Sequence, residues 1–204
     1  HRRLSIIDLT PAGQQPMISA NNRYVISYNG EIYNFREVKI ELEAAGHWFH
    51  SQSDTEDALT AFAEWGVRAL DRFNGMFAFA VWDRREKQLT LARDRYGIKP
   101  LYYTIQNGTL IFASEIKAMM LHPSFQNEVD GEGMLEYFTF QNFFSDRTLQ
   151  KNVKLLPAGC YLQMSMDGNQ EPRQVQYWDF NFREPEPDER ASDAEYVEEL
   201  DRLM

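Results

Sequence analysis

The chain has 204 residues, of which 43% are apolar and 25% charged, enough for one well-filled domain with a short extension. It holds no apolar run of about 18 residues, so no membrane span is expected, and its formal charge of −10 argues against a nucleic-acid partner, which would reward clustered Lys and Arg. The charge is uneven: residues 181–204 carry nine acidic and three basic side chains, while residues 1–180 are close to balance. A single cysteine, Cys160, excludes an internal disulfide and fits a reducing, cytoplasmic compartment. The sequence opens at His1 without methionine or a charged-then-apolar leader, which leaves the true start of the gene product open.

In chain order, residues 25–28 read as a strand, followed by Asn29-Gly30, the strongest short turn signal, and then at once by Glu31. Asn34 with Glu37 forms a capping-box pattern ahead of Phe35, Val38, Leu42 and Ala45 at helical spacing, with Gly46 where a C-terminal cap belongs. Ser53 with Glu56 is a second box, opening a helix through Leu59, Phe62 and Trp65 to Gly66. Residues 75–83, GMFAFAVWD, read as a buried strand. Further strands are expected at 89–94, 100–105 and 109–114, and short helices at 114–121 and 130–138. GCYLQMS and VQYWDF suggest a strand pair joined by Asp167-Gly168. This order favours an α+β fold with antiparallel sheets over alternating βαβ units. After Phe180 the sequence predicts an acidic linker and then a helix carrying Ala194, Val197, Leu200 and Met204, the start of something cut off.

Few residues carry obvious chemistry. His47 and His50 stand three apart in a segment that reads as extended, where odd separation points side chains to opposite faces, so no metal site is expected. Phosphate-loop, dinucleotide and serine-hydrolase motifs are missing. Cys160, with no histidine nearby in sequence, reads as a small buried residue. What remains is a polar set interrupting apolar stretches: Arg2 and Arg3 before an apolar strand, Asn29, Gly30 and Glu31, and Asp54 at a helix start. An Arg fork suits the α-carboxylate of a free amino acid, and a carboxylate suits its ammonium. An Asn amide with a Gly N–H suits the developing oxyanion of an amide under attack. Taken singly, each residue also fits a salt bridge, a cap or a turn.

Read together, HRRLSIID, YNGEIYNFREVKIELEAAGHWFHSQSDTE, LDRFNGMFAFAVWDRREKQLTLARDRYGIKPLYY and FASEIKAM resemble the glutaminase domain of glutamine-hydrolysing asparagine synthetases, a class II glutamine amidotransferase. The resemblance runs from His1 to about Asp179 and is most specific from Asn74 to Met119. It implies an N-terminal-nucleophile hydrolase fold, an αββα sandwich of two antiparallel sheets flanked by helices, over residues 1–180, with 181–204 leading into a truncated synthetase domain. It further implies that Arg3 clamps the α-carboxylate of L-glutamine and that Leu4, Ser5, Ile6 and Ile7 continue that wall. Asn29 and Gly30 match the oxyanion hole, and Glu31 and Asp54 match the carboxylates that recognise the substrate ammonium. In this family an N-terminal cysteine attacks the glutamine amide, and the ammonia passes to a C-terminal domain that uses ATP and Mg to amidate aspartate. The glutaminase domain itself needs no cofactor.

The 204 residues contain no cysteine in the nucleophile position, so the chain by itself is expected to be inert. The family's missing strand would also expose sheet edges, so an isolated 1–204 fragment is expected to aggregate. Two other readings stay open: a non-catalytic module that binds glutamine or a partner domain, and an amidotransferase with a different acceptor, as in antibiotic or surface-polysaccharide pathways. Synthetases of this type often pair through their glutaminase domains, which leaves a homodimer as an option the sequence does not decide. Neither nucleic acid nor membrane is expected as a partner.

Overall fold

The computed structural model describes residue 8 and residues 10–166, 171–182 and 192–203. Its strands are β1 (Met17–Ile18), β2 (Tyr24–Ile32), β3 (Gly75–Asp83), β4 (Gln88–Arg93), β5 (Tyr102–Gln106), β6 (Thr109–Ala113), β7 (Lys154–Leu155), β8 (Cys160–Ser165) and β9 (Arg173–Gln176). Its helices are α1 (Phe35–Ala44), α2 (Asp54–Trp65), α3 (Ala69–Arg72), α4 (Ile116–Met119), α5 (Gly131–Phe140) and α6 (Asp193–Leu203). Two sheets result, one in the order β1-β2-β3-β4-β8-β9 and one in the order β6-β5-β7, with every pairing antiparallel.

The period-two pattern of β3 shows how the layers form. Phe77, Phe79 and Val81 face α1 and α2, packing with Ile26, Tyr28 and Ile32 of β2 against Val38, Leu42, Leu59 and Phe62. Ala78 and Ala80 point the other way and meet Leu101, Tyr103 and Leu156 in the layer that holds the second sheet. With both faces covered, β3 reads as continuously apolar, as its sequence suggested. A third cluster, Ile111, Met119 and Val153, seats α4 on the second sheet. The layers are helix, sheet, sheet, helix, the expected αββα sandwich. Among the described residues no helix is long and apolar enough to cross a membrane.

Several local expectations change. Asn29-Gly30 is no turn: both residues lie inside β2, opposite Ala78 and Phe77. A Cβ on Gly30 would fall 2.2 Å from Met76 O, and one on Gly75 would fall 2.3 Å from Glu31 O. Two bare backbones therefore pass at close range, and that tertiary fit overrides local turn propensity. Asn34 does not cap α1; its side chain donates to Arg72 O and accepts from Asn74 N, tying the helix start to the entry of β3. Ser53 Oγ does cap α2 through Thr55 N, but Glu56 reaches past it to the N–H groups of His50 and Ser51. Residues 47–50 join no strand, and His47 turns to Glu64 at 2.9 Å instead of converging with His50. The fifth strand begins at Tyr102, the fourth helix spans only Ile116–Met119, and β9 ends at Gln176, before Trp178. Asp167-Gly168, most of the acidic linker and Met204 lie outside the described residues.

One carboxylate organises the centre. Asp94, fully buried, accepts from the N–H groups of Phe77, Tyr96, Ile98 and Lys99. Its neighbour Arg93 donates to the carbonyls of Lys99, Leu156 and Gly97, so the DRYGIK turn is pinned to β3 and to the approach of β8. Asp94→Ala strands the buried Phe77 N–H and three partly buried donors at once, besides leaving a buried gap, and is expected to cost about 3 kcal/mol. Urea denaturation of the full-length protein checks this; a loss below about 1 kcal/mol, the usual surface-mutation range, would contradict it.

Candidate functional site

The site grows from the parity of β2. In an antiparallel strand the N–H and C=O of one residue point to the same side. Phe77, opposite Gly30, gives its N–H to Asp94 Oδ2 at 3.2 Å and accepts Asp94 N at 2.7 Å, so both its backbone groups face away from β2. The Gly30–Phe77 pair is therefore not hydrogen-bonded, and the Gly30 N–H points to the opposite edge of β2. The same parity is visible along the strand. Tyr24 O accepts from Ser19 N on the β1 side, Tyr28 N donates to Gln15 Oε1 at 2.6 Å, and Ile32 N donates to Asp54 Oδ2 at 3.1 Å. Between these last two donors lies the Gly30 N–H, which no described residue takes up, because β1 pairs β2 only at Val25 and Ile26.

Asp54 sits at the first position of α2 and is 5% exposed. Besides Ile32 N its Oδ2 accepts from Tyr28 Oη at 2.8 Å, so one carboxylate brackets the segment from Tyr28 to Ile32. Burial first, and then the charge and hydrogen bond of Asp54, push the Tyr28 phenol well above its ordinary range, which keeps it a donor. Gln15 completes the brace: its Nε2 reaches Thr55 Oγ1 at 3.3 Å, linking the start of α2 to β2.

Asn29 lies on the other face of β2. Its Nδ2 donates to Ser114 Oγ at 3.3 Å across a cleft of about 660 Å³ between the sheets, lined by Ser27, Ala78, Ala80, Leu101, Phe112 and Lys117 among others. The ASEIKA stretch thus forms the wall opposite Asn29. Glu31 shares the Asn29 face by alternation and makes no hydrogen bond or ion pair among the described residues. The structure therefore brings Asn29, Gly30, Glu31 and Asp54 together at one end of β2. Arg3, Leu4, Ser5, Ile6 and Ile7 lie outside the described residues. Cys160 occupies the same row of the sheet as Asn29 but three strands away, about 14 Å at ordinary strand spacing. Its burial pushes the thiol pKa up, which disfavours a nucleophilic thiolate.

Sequence reasoning missed Gln15, Tyr28 and Ser114. Tyr28 was accessible through the inward alternation of β2, but nothing local marks Gln15, whose partners stand 13 and 40 residues away.

With this geometry in view, the comparisons are direct. The glutamine amidotransferase domain family matches residues 1–178. The chain belongs to that family. It is 40% identical over 171 residues to asparagine synthetase [glutamine-hydrolyzing] 3 of Bacillus subtilis, covering 82% of this chain and 28% of the relative. It is 41% identical over 168 residues to asparagine synthetase [glutamine-hydrolyzing] 1 of the same organism, covering 82% and 26%. It is also 34% identical over 201 residues to amidase chyE of Penicillium rubens, covering 98% and 28%. The chain thus spans about a quarter of the length of the relatives it matches. Among solved structures, the glutamine PRPP amidotransferase of B. subtilis superposes with a TM-score of 0.61 at 20% identity, over 91% of this chain and 35% of that one, a likeness of fold. The resemblance to asparagine synthetases, most specific from Asn74 to Met119, agrees with the first two relatives.

A titration is built in beside the site. Asp57, one turn after Asp54 and 2% exposed, has a buried Oδ1 with no hydrogen-bond partner among the described residues. Burial is the main cause that raises its pKa to about 7; Lys39 of α1 opposes the shift, and Glu56, Asp54 and Glu43 add to it. Folded Asp57 holds its proton up to about pH 7, whereas the unfolded chain releases it near its reference value of about 3.9. Over that window the native state binds more protons, so this group's contribution to stability falls as pH rises and is level above about 7. Asp57→Asn is expected to flatten that slope and to stabilise the protein at pH 8. Parallel urea titrations of the full-length protein from pH 4.5 to 8 would show no difference in slope if burial does not act this way.

Proposed function

We propose that this chain is the glutamine-hydrolysing domain of an asparagine synthetase-type enzyme that supplies ammonia for ATP-dependent amidation of aspartate. The observation that carries this reading is the Gly30 N–H, aimed off the edge of β2 next to the Asn29 amide. Together they offer two donors for the oxygen of an amide whose carbon becomes tetrahedral. Asp54 and Glu31 supply negative charge for the ammonium of a free amino acid, and Arg3 the fork for its carboxylate. Backbone atoms of Leu4, Ser5, Ile6 and Ile7 would line the remaining wall.

The chemistry follows from the family. A cysteine thiol adds to the side-chain amide carbon, the oxyanion is held by Asn29 and Gly30, and collapse forms a thioester as ammonia leaves. Water then releases glutamate. This chain's residues bind, orient and polarise the amide; Cys160 is too distant and too buried to attack it. ATP and Mg belong to the synthetase region of the full-length protein, and the single buried cysteine suits the cytoplasm. A second reading, the same glutaminase with a different acceptor, is favoured by the amidase relative, whose match extends over 98% of this chain.

In the full-length protein, Asn29→Ala is expected to lower kcat for glutamate release by about 10²–10³ with little change in KM. Asp54→Asn is expected to raise KM for glutamine, because it weakens both the ammonium contact and the brace to Tyr28 and Ile32. Steady-state glutamate release checks both, alongside melting curves to show that the variants are folded. Unchanged kinetics in both folded variants would overturn the proposal.

A further inference from the structure

The backbone of Asn29 and its side chain are held by different sheets. Because the Gly30–Phe77 pair is not hydrogen-bonded, the neighbouring Asn29–Ala78 pair is the hydrogen-bonded one, so β3 fixes the Asn29 main chain. The side chain has no such support from β3. Its neighbours there are Ala78, directly opposite, and Ala80, one diagonal step along, and both offer only a methyl group. Packing against them cannot wedge the torsions of an asparagine. Among the described residues the Asn29 amide makes one hydrogen bond, from Nδ2 to Ser114 Oγ at 3.3 Å, with a residue 85 positions further along the chain.

Ser114 stands on a firm support. It follows β6 directly, where Ala113 pairs with Tyr102 of β5. Ala113 before it and Ile116 after it both pack on the cluster of Ile111, Met119 and Val153. The charged residues of the same stretch turn outward: Glu115 and Lys117 are exposed and pair with each other at 2.5 Å. Ser114 is half-buried and directs its hydroxyl into the cleft, towards Asn29. An amide nitrogen carries two hydrogens. With one given to Ser114, the second is left for another acceptor, and the first bond fixes where that second hydrogen points.

We propose that Ser114 is a positioning residue for amide hydrolysis: its Oγ holds Asn29 Nδ2 so that the remaining N–H meets the substrate oxygen as negative charge develops on it. This inference rests on the glutaminase reading given above. A preorganised donor stabilises developing charge because it does not have to reorient during the reaction. An asparagine released from Ser114 keeps its donor but loses its aim. Such a change acts on the transition state and leaves ground-state binding to other groups, so it lowers kcat and spares KM. The tether also crosses between the sheets, which makes the aim of a donor on β2 depend on the seating of β6 and α4 as well as on β2 itself.

The test compares Ser114→Ala, Asn29→Ala and the double variant in the full-length protein, with melting curves to show that each is folded. Ser114→Ala is expected to lower kcat for glutamate release by about tenfold, less than deletion of the donor itself, with KM for glutamine changed by less than about twofold. On the Asn29→Ala background the same substitution is expected to cost nothing further, because a residue that acts through Asn29 has nothing left to position. An unchanged kcat, a rise in KM that accounts for the loss, or an equal loss on both backgrounds would overturn the proposal. Crystal structures of the native protein and of Ser114→Ala give a second readout that does not depend on turnover. The Asn29 amide is expected in one orientation in the native protein and turned or divided between orientations in the variant. The same single orientation in both would overturn the proposal. A native protein that releases no glutamate would instead remove the glutaminase reading, and the two structures would still report on the tether.

Discussion

The backbone of Phe77 is wholly committed to Asp94, and the site depends on that commitment. Because Asp94 takes the N–H and gives its own N–H to the carbonyl, Phe77 has nothing to offer across to β2. The parity of β2 is thereby set, and every even-numbered residue from Tyr24 to Ile32 presents its amide to the outer edge. The same carboxylate draws in Tyr96, Ile98 and Lys99, so the DRYGIK turn and the strand beside the site are one construction. Gly30 and Gly75 permit it sterically, since side chains at either position would push β2 and β3 apart.

The start of α2 gathers three acids, Asp54, Glu56 and Asp57, where the helix dipole welcomes negative charge. Two of them are answered by donors: Asp54 by Tyr28 and Ile32, Glu56 by His50 and Ser51. Asp57 is only partly answered, with Lys39 near enough to oppose its shift but not to cancel it. The result is a strongly bound carboxylate next to an uneasy one, with the titratable group one turn along the helix from Asp54.

Periodicity made most of the architecture legible. The alternation of GMFAFAVWD, the helical spacing after Asn34 and Ser53, and the strand at Cys160 all correspond to real elements, because each pattern is local and its apolar face finds a core, whereas VQYWDF meets β9 only at Val175 and Gln176. Failures came where a distant partner outweighed local chemistry. Asn29-Gly30 carries turn propensity, yet β3 passes too closely for the chain to do anything but continue. Asn34 has a cap's composition, yet Arg72 and Asn74 claim its amide. Of the candidate site, Asn29, Gly30, Glu31 and Asp54 were legible through the family's motifs, while Gln15 and Ser114 work through contacts that sequence spacing does not encode.

The brace made by Gln15 and Asp54 has a consequence for what β2 admits. A strand adding to this edge would need the donors of Tyr28, Gly30 and Ile32 in succession, and two of the three are already occupied by side chains. Among the described residues, the Gly30 N–H is the one donor of the three left without a partner. A peptide cannot ladder onto a single donor flanked by two occupied ones. Among the described residues, this stretch of the edge is therefore closed to a further strand.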